Sequence, residues 1–412
     1  MVNVAINQNG GKSNRIYVLA LASLTFTFTV AMQQICMTVL FKEIAEDLGL
    51  SLVQMGVIWG MPAFAGLLSV FVAGMLADRY GAVRVMGIAC ILAGILGALR
   101  GVTTDFFSLA LVTFLFALPM WVIPSSVFKT NATWFSERKL VVVNGVVSAG
   151  MGLGMTVGAL ISATVLSPWL GGWQDVLFLY GSISVVFGLL WLFTIREHGP
   201  RHLGAAPTRV PLRQSLARVF PIKTIWLLGL TFLGYGSCLQ GMIGYLPTYL
   251  RDIGWSATSA DGALTLLTAL STMGVIPLSL LSAKIGLRKV VTFPVLVVTI
   301  IGVALLPLVG SSMVWVIMIL VGVARDGFMA VALTMSTETE GVGVVYAATA
   351  MGLTQTLMNI GPIVAPALGN SLADPANPAA PYPFFLWAAF GLLGLVAFCF
   401  VRETGWRQQA KL

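Results

Sequence analysis

Polar and charged residues in this 412-residue chain gather into short clusters, separated by long, continuous apolar runs. The runs cover about 16–40, 51–76, 83–101, 106–133, 140–166, 173–195, 223–247, 257–283, 288–310, 312–337, 341–370 and 381–401. Each is close to or above the roughly 20 apolar residues that carry a helix across a bilayer. The runs do not alternate, and Asn-Gly or Asp-Gly hairpin signals are few, which excludes a closed barrel. The pattern predicts an all-α membrane protein with twelve transmembrane helices. The longest polar interruption, about 196–222, is rich in Pro, Gly and Arg and leaves six runs on each side. It divides the chain into a six-helix bundle over 1–195, a linker over 196–222 and a second bundle over 223–412. His198 and His202 lie four apart there, but Gly199 and Pro200 between them disfavour one helical face, so a solvated linker is read rather than a metal site.

Composition agrees: 58% of residues are hydrophobic and 9% charged, against about 25% charged in a soluble domain. Of 23 Lys and Arg, Lys129 and Arg325 fall inside runs, and Lys42, Arg100 and Arg251 lie on one side. The other 18 lie on the side of the termini. The positive-inside rule then predicts a multi-pass protein of the cell (inner) membrane with both termini cytoplasmic. The net charge of +8 follows from that asymmetry and needs no nucleic-acid partner. Cys36, Cys90, Cys238 and Cys399 all fall in apolar runs and are read as buried free thiols. The first run is too long for a cleaved signal peptide and is expected to remain.

Between the second and third runs the chain reads Gly74-Met-Leu76-Ala-Asp78-Arg79-Tyr-Gly81-Ala-Val-Arg84: charges and a glycine turn with almost no loop. In order, Gly74, Leu76, Asp78, Arg79, Gly81 and Arg84 resemble the loop 2–3 signature of the major facilitator superfamily. Ala82 departs from it, standing where a basic residue is usual. About 205 residues later, Ser279 to Lys289 resembles a second copy, with Gly286 at the turn, Arg288 and Lys289 at the basic end, and Ala283 in place of the acid. The resemblance implies two parallel six-helix halves with a substrate site near mid-membrane. It also implies a cavity lined by helices 1, 4, 7 and 10, with parts of 5 and 11. Helices 5 and 11 are glycine-rich, with Gly145, Gly150, Gly152, Gly154 and Gly158 in one and Gly352, Gly361 and Gly369 in the other. Such spacing lets backbones approach closely.

A charge at mid-helix costs about 2.5–3.5 kcal/mol on insertion scales, so those that persist are paired or face a polar cavity. Arg325 and Asp326 sit near the middle of segment 10, and Lys129 sits in segment 4. No other segment carries a charged side chain well inside. Arg325 is the candidate anion site, because its planar fork matches a carboxylate; the alternative is an ion pair that only positions helices. Helical neighbours do not face each other, so Arg325 and Asp326 are expected to meet different surroundings. Asp326 is the candidate proton carrier, since desolvation favours its neutral form; a fixed partner for Arg325 is the other reading. Lys129 either snorkels to the interface or faces the inner half of the cavity. Phe28 and Gln33 of segment 1, Tyr235 and Gln240 of segment 7, and Gln355 and Asn359 of segment 11 complete the candidate binding residues.

Phosphate-binding loops, catalytic triads and metal motifs are absent from the sequence. The protein is therefore read as no enzyme, without cofactor or metal, driven by a proton, another coupling ion or the substrate's own gradient. The end of segment 7, Leu246-Pro247-Thr248-Tyr249-Leu250, resembles that of cyanate-permease-like and other anion-uptake branches. Drug antiporters carry an arginine motif in helix 4 that is missing here, and nitrate carriers place arginines within helices 2 and 8. The expected function is a secondary transporter of a small organic anion, working by alternating access, with proton symport assigned to Asp326. The alternative is an exporter of amphipathic compounds whose pocket uses the 18 methionines. A sensor or scaffold would need a sizeable soluble domain. Each half can bury its polar face on the other, so a monomer in the bilayer is expected. By the resemblance, Gly74, Asp78, Arg79, Gly81 and Arg84 latch one conformation, with Arg138 as a basic partner of Asp78. Asp78→Ala should insert normally and lose transport; wild-type uptake by that variant would contradict the latch.

Overall fold

A computed structural model describes residues 12–195 and 212–405. Among these residues the chain is helical, with no strand beyond an isolated bridge between Asp374 and Asn377. Helix α1 is one rod of three stretches: Lys12–Thr25, a π-helical turn Phe26–Met32, and Gln33–Leu48. There follow α2 (Leu52–Tyr80), α3 (Ala82–Leu99), α4 (Phe106–Trp134), α5 (Glu137–Ile161) and α6 (Trp173–Thr194). After the short helix Leu212–Val219 come α7 (Lys223–Asp252), α8 (Ala257–Ile285), α9 (Arg288–Leu305), α10 (Ser311–Glu338), α11 (Gly343–Asn370) and α12 (Tyr382–Cys399). Among the described residues eleven segments are long and apolar enough to cross a membrane. The twelfth long helix, α11, matches them in length at 28 residues and carries Gln355, Asn359, Pro362 and Pro366. With twelve crossings both termini share one face, here the terminal face. Large apolar side chains such as Leu111, Phe193 and Leu393 stand exposed around the outside, where lipid would meet them. Trp169 and Tyr382 lie exposed at the opposite face and Tyr80 at the terminal face, the levels at which aromatic belts form.

Helix ends follow from local chemistry. Ser51 and Gln54 form a reciprocal capping box at the start of α2, and Asp105 and Ser108 do so at α4. The Ser108 N–H holds the Asp105 carboxyl below the usual carboxylate range. Gly81 (φ 93°) is the only residue between α2 and α3, and Gly286 (φ 72°) turns the chain between α8 and α9. Both angles are ones that L side chains rarely adopt, so the two copies of the motif share their turn. The motif's charged residues do not sit in a loop as the sequence suggested: α2 runs through Asp78 and Arg79 to Tyr80. In the second copy the basic residues are bound. Arg288 Nη2 donates to Glu338 Oε1 at 2.8 Å, and Lys289 Nζ donates to the carbonyls of Cys399 and Val401 at 2.7 and 2.8 Å.

The helices form two bundles with the same internal packing. Helix α3 packs on α6 as α9 does on α12, and α2 packs on α4 as α8 does on α10. The π turn of α1 packs on α5 as α7 does on α11. Across the halves, α2 meets α11 and α5 meets α8. One buried core is shared by both halves and includes Ile35, Leu40, Trp59, Tyr245, Leu250 and Trp387. A second belongs to the first half alone and includes Ala22, Phe26, Val83, Met86, Val127 and Trp191. The expected linker is only partly within view: 196–211 lie outside the described residues, and Leu212–Val219 is helical, with Val219 buried against Val342 and Ala350. Three of the four cysteines are buried and free as expected. Cys399 differs, being exposed, because it closes α12 at the terminal face.

Of the glycines singled out in helices 5 and 11, one closes a seam between the halves. Gly150, Gly154 and Gly158 face α1 within their own half, at Ser23, Thr27 and Met32; only Gly152 crosses, against Thr272 of α8. At the other seam the glycines come from α2. A Cβ on Gly56 would fall within 2.8 Å of backbone atoms of Pro366 and Ala367, and one on Gly60 would meet the Ile363 carbonyl oxygen. Gly60→Ala has only backbone to displace and should cost about 1–3 kcal/mol. Gly74→Ala, in the same helix but with open space around it, should gain about 0.5–1 kcal/mol. Unfolding midpoints of the two variants in detergent, moving in opposite directions, would check both.

Candidate functional site

Arg325 and Asp326 lie halfway along α10 and open into a cavity of about 500 Å³ between the halves. Its walls come from α5 (Gly145, Ser148, Met151, Met155), α8 (Thr268, Thr272, Val275) and the two charged residues of α10. Helix α10 places its charges there because Val321, Ala324 and Phe328 fix its other face in the core. The Phe328 ring packs on that of Tyr235 at 4.2 Å, tilted by 42°, and the Tyr235 hydroxyl donates to the Arg325 carbonyl at 3.2 Å. The backbone under the guanidinium is thus held by Tyr235.

The two charges do not part as helical neighbours were expected to. Arg325 Nε stands 3.7 Å from Asp326 Oδ1. Arginine is long enough to fold back round the helix, so the 100° offset of the backbone does not separate the side chains. The contact is longer than the 2.7–2.9 Å of a charge-assisted hydrogen bond, which leaves the donors of Arg325 available. Nor is the carboxylate withdrawn from the cavity, since the Asp326 side chain is 38% exposed and that of Arg325 22%.

The remaining candidates scatter. Gln33 is fully buried in the first half; its Nε2 donates to the Tyr180 carbonyl at 3.3 Å, and it packs on Gly97. Phe28, in the π turn, stacks on Phe187 at 5.9 Å. Tyr235 is buried against α10. The Gln240 carbonyl accepts from Trp59 Nε1 at 2.9 Å, across the halves. Gln355 and Asn359 share a face, as their spacing predicts, but it looks onto Gly66 and Leu67 of α2, and Asn359 Nδ2 donates to the Gln355 carbonyl. Lys129 is half-buried near the end of α4 and is not part of the cavity wall. Of the expected set, helices 1, 4, 7 and 10 with parts of 5 and 11, the wall uses α10 and α5, and it adds α8. Thr268 and Thr272 were missed, although their i, i+4 spacing in segment 8 is a readable polar stripe.

Two buried charges were missed as well. Arg100 reads as a loop residue, yet it is 1% exposed. Asp261, near the start of segment 8, is fully buried and accepts from Arg251 Nη2 at 2.6 and 2.7 Å. Both lie toward the opposite face, where the halves are also tied by Lys42 to Asp252 at 2.8 Å and by Asn370 Nδ2 to the Leu52 carbonyl at 2.8 Å. Toward the terminal face, Cβ atoms on Gly145 and Gly352 would meet nothing within 4 Å. Among the described residues the ties between the halves are thus closer at the opposite face than at the terminal face. Of the latch residues, Arg79 and Arg84 are exposed there, with the Arg79 guanidinium 5.3 Å from the Tyr80 ring. The side chains of Asp78 and Arg138 lie outside the described set. A larger cleft, about 670 Å³, lies between α2, α3 and α4 with Arg84 at one end. It is walled by leucines and valines on the outside of one half and does not reach the seam.

The chain belongs to the Major Facilitator Superfamily, which it matches over residues 21–366. It is 24% identical over 218 residues to a hexuronate transporter of Bacillus subtilis, covering 51% of this chain and 50% of that one. It is 29% identical over 256 residues to a probable nitrate/nitrite antiporter of Thermus thermophilus, covering 59% and 55%. The match thus spans about half the length of each relative. Its fold resembles that of a bacterial homologue of the human lysosomal transporter Spinster, solved inward-facing and unoccupied. The TM-score is 0.75 at 17% identity, over 95% of each chain. The protein is a multi-pass membrane protein of this transporter family.

Proposed function

We propose that this transporter moves a small organic anion by alternating access, with Arg325 as the anion-binding group. The observation that carries the reading is a guanidinium at mid-helix, opening into a cavity of about 500 Å³ between the halves and only loosely engaged by its neighbour. A substrate carboxylate would take the fork of Arg325 in two parallel hydrogen bonds, while Thr268, Thr272 and Ser148 supply hydroxyls and Met151 and Met155 an adaptable apolar wall. Both named relatives carry the names of anions, which supports the charge of the cargo. The volume favours an organic anion over a lone inorganic one.

Asp326 is the coupling group in this reading. A substrate anion would add one negative charge beside Arg325 and Asp326, and one proton carried in with it would keep the loaded cavity near neutrality. In this reading the linker at 196–222 and both termini are cytoplasmic in an inner membrane, so the terminal face is the cytoplasmic one and the cavity is inward-open. The motif from Gly74 to Arg84, with Arg138, then lies at the end that must close when the transporter turns outward.

Uptake of labelled carboxylates into proteoliposomes, with and without a pH gradient, tests the reading. Arg325→Ala should weaken carboxylate binding by about 10- to 150-fold, the range expected for hydrogen bonds to a charged group. Unchanged affinity would remove Arg325 from the site. Asp326→Asn should keep substrate exchange and lose the response to the pH gradient. Export of amphipathic dyes, with no carboxylate taken up, would favour the drug-exporter alternative.

A further inference from the structure

Helices α2 and α3 are joined by Gly81 alone and both pack on α4, but a cleft of about 670 Å³ opens between them, floored by α4. Its walls include Val72 and Leu76 of α2, Ile88 and Leu92 of α3, and Leu115 and Leu118 of α4. Tyr80 and Arg84 stand at the end beside the turn, and Leu68 and Leu96 at the far end. From Tyr80 to Leu68 along α2, or from Arg84 to Leu96 along α3, is about 18 Å at 1.5 Å per residue. One leaflet's share of the hydrocarbon core is roughly 15 Å, half of the whole. The cleft therefore has the length of one acyl chain. It opens outward, since Val72, Ile88 and Leu92 are 44%, 51% and 47% exposed.

The charge at its mouth has no partner within the protein. Arg84 is exposed in the first turn of α3, and among the described residues no hydrogen bond or ion pair engages its guanidinium. Its counterpart in the second half is Lys289, three residues after Gly286 as Arg84 is three after Gly81. That lysine is taken up by the carbonyls of Cys399 and Val401, and the adjacent Arg288 by Glu338. The first half thus leaves free a cation that the second half satisfies internally. The first turn of α3 also has no acidic residue and no side-chain cap, so the positive end of the helix adds to the attraction for an anion.

We propose that this cleft holds an anionic phospholipid from the leaflet on the side of the termini, with one acyl chain between α2 and α3 and its phosphate on Arg84. The chain fits the apolar walls and their length, and the phosphate takes the forked donors of the guanidinium. A zwitterionic lipid carries an ammonium beside its phosphate and gains less from Arg84. The site lies on the outside of the first half and does not reach the seam, so it is independent of what passes through the Arg325 cavity.

The full chain in maltoside detergent can be titrated with phosphatidylglycerol, or with phosphatidylcholine of the same chains, while its melting temperature is followed. Both lipids should raise it saturably. Phosphatidylglycerol should half-saturate at about five-fold lower concentration, the gain expected of one basic side chain at an anionic lipid. Arg84→Gln should remove that advantage and leave the response to phosphatidylcholine unchanged. Val72→Trp, which fills the cleft part-way along its length, should weaken the response to both. The two positions are exposed, so neither variant disturbs the core. Equal half-saturation by the two lipids in the wild type overturns the site. So does an Arg84→Gln variant that keeps the preference, or a Val72→Trp variant that responds as the wild type does.

Discussion

The architecture depends on how closely two pairs of helices can approach across the middle of the molecule. Helix α2 reaches α11 because Gly56 and Gly60 let its backbone touch that of Ile363 to Ala367, and α5 reaches α8 where Gly152 meets Thr272. In lipid there is no hydrophobic drive to hold helices together, so contact of this kind, with a few hydrogen bonds, must do it. These seams fix where the halves are closed, and closure at one face leaves the cavity open at the other. Side chains larger than glycine along α2 would move the closed face and the cavity together.

Much of the fold was legible in the sequence because lipid imposes one rule on every segment: a spanning run must satisfy its own backbone, and so must be a long helix. The turn glycines Gly81 and Gly286 were legible for the same reason, since a connection of one or two residues leaves few alternatives. The site was legible only in part. Arg325 stood out because a charge amid apolar residues is visible in one dimension. Thr268 and Thr272 did not, because hydroxyls are common in such helices and often bond to their own backbone, as Thr268 does to the Leu264 carbonyl. Gln33 and Tyr235 were polar residues of the right helices that turned inward to bind backbone carbonyls. Which face a residue presents depends on rotation of the helix, and the apolar pattern fixes rotation weakly when lipid and protein are both apolar.

Charge is distributed unevenly through the depth of the protein. Toward the opposite face lie a buried ion pair, Arg251 Nη2 with both carboxylate oxygens of Asp261, and the enclosed Arg100. Toward the middle lies the loosely paired Arg325, in contact with open space. Rigid, desolvated charges suit a region that keeps its arrangement while the halves meet, whereas a long-range, half-exposed pair can exchange partners at little cost. The difference in geometry between the two kinds of pair matches the division of labour between a closed end and a receptive centre.

The π-helical turn Phe26–Met32 gives α1 a particular property. Residues before and within its start, Leu21, Ala22 and Phe26, belong to the core of the first half, while Met32 at its end and Ile35 and Leu40 beyond it belong to the core shared by both halves. An extra residue in a turn swings all that follows by roughly the 100° between successive helical positions. One rod is thereby keyed to two different neighbourhoods, like a crankshaft with offset journals. Absorbing or reforming that single surplus residue would turn the upper part of α1 against the lower without breaking the helix.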